Sequence, residues 1–226
     1  MGLGRDALIR EFGLLPSMKA RAPDAEAVIH GNVYLDWKTG FAFSKPTGWD
    51  FETPEDPCRT FGGVLINSGQ EDESMPVGDW FDLEQDQPLL IAFKSSVARE
   101  IVGAHGPDDD TLAPTLSVTR QEDCPEALSL LDFVESILPF YRQFYRAFEI
   151  VSAPRVGALS RCESVDYTTT FLYGHQNLPE WIPIRERVVF VAQDTAIYSL
   201  HMYDYPAVSP ELIQDFDSIL TRFRFA

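Results

Sequence analysis

Near the middle of the chain the spacing of apolar residues changes period, and that change limits the folds open to it. From Leu131, the residues Val134, Leu138, Tyr141, Tyr145 and Phe148 follow at alternating three- and four-residue steps, with Phe144 beside them. Such a stripe lies on one face of a helix, and the spacing predicts a helix from about Pro125 to Phe148. Pro125 suits a first turn, whereas Pro139 falls inside and removes a backbone donor, so a bend is expected there. From Ser164 the period becomes two: Val165, Tyr167, Thr169, Phe171 and Tyr173 alternate with Ser164, Asp166, Thr168 and Thr170. That is a strand with two unlike faces.

Two more strands, Arg187 to Ala192 and Ala196 to Tyr203, are joined across Gln193-Asp194-Thr195 as an antiparallel hairpin. A last helix is expected from an N-cap at Ser209 with Pro210 behind it. It carries Leu212, Ile213, Phe216, Ile219, Leu220 and Phe223, with Arg222 and Arg224 at its end. Earlier in the chain, Asp6 to Leu15 has helical spacing as far as Pro16, Phe41 and Phe43 mark a strand in GFAFSK, and Pro46-Thr47-Gly48 turns the chain. Further strands are expected at Leu89 to Phe93 and Thr115 to Thr119, the second after a solvated loop from Gly103 to Asp110. The order of strands, long helix, strand meander and final helix is that of an α+β fold, an antiparallel sheet sandwiched by helices. Residues 1–27 are expected to be an N-terminal extension and residues 28–226 one domain. Its insertion, about 50–87, is rich in Gly and Pro and holds the short apolar run Val64-Leu65-Ile66.

A chain of 226 residues with 45% hydrophobic residues has enough apolar surface for a sizeable core. Its formal charge of -17 repels phosphate backbones and anionic lipid heads, which argues against nucleic acid and is compatible with a basic patch on a protein partner. Cys58, Cys124 and Cys162 are odd in number and widely spaced, so neither a disulfide framework nor a zinc site is indicated. The opening segment has only a short apolar patch, Phe12 to Leu15, and no stretch approaches the length of a membrane span. A cytoplasmic location is the expectation.

Local catalytic signatures are absent: there is no G-x-S-x-G, no phosphate loop, no G-x-G-x-x-G and no H-E-x-x-H. No motif asks for a cofactor or a metal. His30, His105, His175 and His201 are scattered, and Asp108 to Asp110 beside His105 lack the glycine and terminal glutamate of a calcium loop. Cys58 and Cys162 each adjoin an arginine, Arg59 and Arg161; neighbours on a strand point to opposite faces, which weakens the case for Cys162, and inert thiols are the expectation. An enzyme, if present, would be a hydrolase or small-molecule-binding enzyme with a site assembled from His201, Asp166 and Tyr203; His201 shares a strand face with Ser199 and Tyr203. The stronger indications are aromatic. Trp49 follows a turn, Trp80 and Phe81 sit in the insertion between Asp79 and Asp82, and Trp181 lies between Pro179 and Pro183. These four are the expected anchors of a protein-binding surface.

Two segments resemble a known superfamily. In YLDWKTGFAFSKPTGWDF, a Gly-Phe-x-Phe strand runs into Pro-x-Gly-Trp, and AIYSLHMYDYP is followed by a helix ending in DFDSILTRFRF. Both are similar to the opening and closing patterns of the PsbP-like and DcrB-like proteins, over roughly Val33 to Pro54 and Ser160 to Phe225. The resemblance implies a curved antiparallel sheet between helices, used for protein binding in an oxygen-evolving-complex subunit, a Ran-binding nuclear-import factor and chaperones of type VI secretion effectors. It carries over no catalytic residues, because the matching positions are core and turn residues. The 50–87 insertion departs from the shorter forms of the family. On this basis the chain is expected to be a non-enzymatic scaffold, adaptor or chaperone.

Overall fold

The computed structural model describes residues 27–36, 39–51, 89–94, 99–100, 111–121, 129–173, 180–205 and 212–225. The helix expected at Asp6 to Leu15, nearly all of the insertion, the Gly103 to Asp110 loop and the Ser209-Pro210 cap lie outside them. The chain forms two compact units, one of Met1–Thr47, Leu159–Arg161 and Ile213–Ala226, the other of Gly48–Ala158 and Cys162–Leu212.

The smaller unit is built on a four-stranded antiparallel sheet. Its strands are β1 (Ala27–His30), β2 (Val33–Asp36), β3 (Phe41–Ser44) and, numbered last along the chain, β13 (Phe223–Phe225), in the order β1-β2-β3-β13. Between β2 and β3 the turn is held by Asp36: its Oδ1 accepts the Thr39 N–H at 2.9 Å and its carbonyl accepts the Gly40 N–H at 3.1 Å. Gly40 adopts φ 73°, in the left-handed region where a Cβ would be strained. Phe41, Phe43, Phe223 and Phe225 are all buried, and Phe43 stacks on Phe223 with centroids 4.7 Å apart. Helix α2, the second of the two described helices, spans Leu212–Leu220 and buries Phe216 and Ile219. The helix expected to reach Phe223 therefore stops early: Thr221 and Arg222 turn the chain, and Phe223 and Phe225 enter the sheet beside β3.

The larger unit holds a seven-stranded sheet. In chain order its strands are β4 (Asp50–Phe51), β5 (Leu90–Phe93), β8 (Thr115–Gln121), β9 (Arg146–Leu159), β10 (Cys162–Tyr173), β11 (Ile182–Gln193) and β12 (Ala196–Asp204). They lie in the order β4-β5-β8-β12-β11-β10-β9, and β6 (Arg99–Glu100) pairs separately with β7 (Thr111–Leu112). Strands β9 to β12 form a meander. Ser160 and Arg161, both at positive φ, close the first hairpin, and Asp194 at φ 53° helps to close the third. The expected hairpin and both strands around it are present; β11 begins five residues earlier than the alternation indicated and ends one later, and β12 runs one residue further.

Helix α1 spans Leu130–Phe144, shorter than expected at both ends. Ser129 is its N-cap: Ser129 Oγ accepts the Asp132 N–H at 3.1 Å and donates to Asp132 Oδ2 at 2.7 Å. At the other end Tyr145 leaves helical geometry, so Phe148 belongs to β9 and not to the helix. Pro139 lies inside, as expected. Leu130, Val134 and Leu138 are buried at steps of four and pack on Val165, Tyr167, Val188, Phe190 and Ile197 of the sheet. Strand alternation puts those five on one face together with Thr169, Glu186, Ser199, His201 and Tyr203. Nearly every residue of β12 is buried, so this central strand is covered on both faces.

Candidate functional site

Two features of the larger unit have the chemistry of a functional site. The first is a polar row across the helix-covered face. Thr169, Glu186 and Tyr203 are direct register partners on β10, β11 and β12, and all three are buried. Glu186 Oε2 accepts the Thr169 hydroxyl at 3.3 Å, and Tyr203 donates its own hydroxyl to the same carboxylate. His201, one step along β12 on that face, places Nδ1 2.7 Å from Glu186 Oε1. This hydrogen bond through Nδ1 fixes the orientation of the imidazole against the carboxylate. A buried carboxylate is tolerable here because three donors converge on it.

Around this row is a ring of phenols. Burial pushes the Tyr145, Tyr203 and Tyr167 hydroxyls well above the ordinary range, and the Glu186 charge adds to the shift in each. Tyr145 stacks on Phe171 with centroids 4.4 Å apart and on Tyr141 at 5.9 Å. The Tyr167 hydroxyl is buried and makes no hydrogen bond.

Of the residues expected to assemble with His201, Tyr203 is in place and Asp166 is not. Asp166 sits on the opposite face of β10, where its carboxylate meets Arg187 with Nη2 at 2.6 Å from Oδ2. Period two dictates this: Tyr167 faces the helix, so its neighbour faces away. On the same far face Arg185 binds Asp204 through Nε at 3.0 Å and through Nη2. Burial still raises the Asp204 carboxyl above its usual value, and the guanidinium opposes that shift. The residue that sequence reasoning missed is Glu186. Its signal was the Arg-Glu-Arg alternation in β11, which places one charge on the face opposite to two others.

The second feature is a surface. Phe140 and Phe144, one helical turn apart on α1, are 54% and 52% exposed, and Trp181 is 47% exposed. The Arg146 guanidinium lies over the Trp181 ring, 4.5 Å from its centroid. Beyond Arg146 runs β9, the outermost strand, with Val151 and Val156 exposed and Pro154 within it. Of the expected anchors, Trp181 is thus at the surface. Trp49 is 1% exposed and forms part of the interior, offering no area to a partner; Trp80 and Phe81 lie outside the described residues.

Burial pushes the Cys162 thiol above its ordinary value and Asp194 adds to the shift, the opposite of the direction that activates a nucleophile. Cys58, Cys124, His105, His175 and Asp108 to Asp110 lie outside the described residues, and among the described residues no group of His, Cys, Asp and Glu could hold a metal ion. No described helix is long and apolar enough to cross a membrane.

No family profile matches the sequence, and no curated protein matches it at a significant level. Among solved structures the chain is similar to LpqN of Mycobacterium tuberculosis, described as involved in cell envelope biogenesis, with 11% identity and a TM-score of 0.45 over 88% of this chain and 89% of that one. It is also similar to cyanobacterial PsbP from Synechocystis, with 13% identity and a TM-score of 0.49 over 90% of this chain and 99% of that one.

Proposed function

We propose that the chain is a protein-binding module, a scaffold, adaptor or chaperone of PsbP-like character, that engages a protein partner through the surface of Phe140, Phe144, Arg146 and Trp181. The observation that carries this reading is the exposure of three large aromatic side chains at and just beyond the end of α1, one of them under a guanidinium. Clustered aromatics with an arginine are the composition of binding hot spots, and a soluble domain rarely leaves such a cluster uncovered. The acidic balance of the whole chain favours a basic partner. Sequence patterns at 34–51 and 196–225 support the PsbP-like assignment and a cover of helices on the sheet.

Comparative affinity capture tests the reading, with wild type set against Trp181→Ala and the double variant Phe140→Ala/Phe144→Ala. Because Trp181 and Phe140 are about half exposed, stability should fall by no more than about 0.5–1 kcal/mol, the worth of an exposed cation–π pair. A partner held by wild type should be lost from both variants. Equal capture by all three proteins would refute the assignment of this surface.

A further inference from the structure

Strand β9 ends the seven-stranded sheet: β10 lies along one of its edges, and among the described residues no strand pairs with the other. Its run from Phe148 to Val156 lies between Ala147, at φ 54°, and Gly157, and its chemistry is symmetrical about Ser152. Stepping outward from Ser152 in both directions brings Val151 level with Ala153, Ile150 with Pro154, Glu149 with Arg155 and Phe148 with Val156. An antiparallel copy of β9 centred on Ser152 sets these residues directly opposite one another, because antiparallel pairing reverses the chain direction and keeps each residue on its own face. Glu149 of each copy then meets Arg155 of the other. Both side chains belong to exposed residues, and among the described residues neither takes part in an ion pair.

We infer that β9 is a homodimer edge, at which two copies of this chain join their seven-stranded sheets through antiparallel β9–β9 pairing centred on Ser152. The occupant is specified by charge and size. A strand that fits this edge must carry a basic residue opposite Glu149, an acidic one opposite Arg155 and small apolar residues between them, and β9 read backwards supplies all of these. Val151 and Val156, 62% and 58% exposed, are covered in this register by Ala153 and Phe148 of the other copy. The charge of -17 on each chain does not fall on the edge, since β9 carries two arginines, Arg146 and Arg155, and one glutamate. Pro154 has no N–H, so a strand laid beside it gains less from the backbone and side-chain complementarity decides which strand is held. The joint is separate from the binding surface at the end of α1, because Arg146 lies outside the paired run from Phe148 to Val156.

The test is sedimentation equilibrium of the full chain across the micromolar range, with charge reversal at the two paired positions. Wild type should sediment as a dimer. Glu149→Arg alone and Arg155→Glu alone should each raise the dissociation constant at least about tenfold, because both cross-copy ion pairs become like-charge pairs. An equimolar mixture of these two variants should recover the dimer, since every altered position then faces the opposite charge, and the double variant Glu149→Arg/Arg155→Glu should dimerise on its own for the same reason. Both residues are exposed, so each variant should keep the circular dichroism of wild type. A monomeric wild type, a dimer that the single reversals leave equally tight, or a mixture that associates no better than its two components would overturn the inference.

Discussion

Four phenols define the chemistry of single residues in this protein. Tyr145, Tyr167 and Tyr203 in the larger unit and Tyr34 in the smaller one all hold their protons above the ordinary value of 10.0, chiefly because burial disfavours the charged form. A raised acid binds its proton more tightly in the folded chain than in the unfolded one. Its contribution to stability is complete below the unfolded value and is lost as pH rises past about 10. In an alkaline titration followed by tyrosinate absorbance, these four should therefore ionise only as the protein unfolds. Smooth ionisation of all eight tyrosines with the native circular dichroism intact would contradict this. The sequence made part of this constellation legible. Alternation along β12 put His201, Ser199 and Tyr203 on one face. What it could not carry was register, the offset that sets Thr169 opposite Glu186 and Ser117 opposite His201, because that offset is fixed between strands and leaves no trace along any one of them.

Among the elements, α1 was the easiest to read, since its buried face needs only a periodicity of 3.6. Its C-terminal boundary was not, because Tyr145 and Phe148 continue the apolar spacing while the backbone has already become β9. Strand β9 itself gave no signal: it is an edge strand with most of its side chains exposed, so no alternation of polar and apolar residues was required of it. Pro154 and Gly157 argued further against a strand, yet proline is at home on a sheet edge, where it discourages pairing with other chains. At the end of the chain a similar ambiguity arose, since Phe223 fits both the helical spacing from Phe216 and Ile219 and the two-residue step to Phe225. The energetic weight of α1 can be measured in two places. Leu138→Ala should cost about 2–5 kcal/mol by leaving a cavity against β10 and β11, and Ser129→Ala about 0.5–2 kcal/mol by removing the cap. Both are read from the urea midpoint. A Leu138→Ala loss below that of Ser129→Ala would mean that α1 does not seal this face.

At the scale of the molecule, the chain's order and its spatial order are different things. The smaller unit draws β1, β2 and β3 from early in the sequence and β13 from its far end, with Phe223 opposite Phe43 and Phe225 opposite Phe41. The contiguous run β9 to β12, in contrast, closes through short hairpins. Ending the chain after Leu220 should accordingly strip amide-exchange protection from β2 and β3, while β10, β11 and β12 remain protected; uniform loss in both sheets would show that the units do not fold separately. Pairings between distant residues form slowly and hairpins quickly. On a ribosome, the β9–β12 meander can begin to pair while the codons for β13 are still unread. β3 must wait with its aromatic edge uncovered until translation has passed Phe225, and in that interval the nascent chain exposes Phe41 and Phe43 to whatever holdase the cell offers.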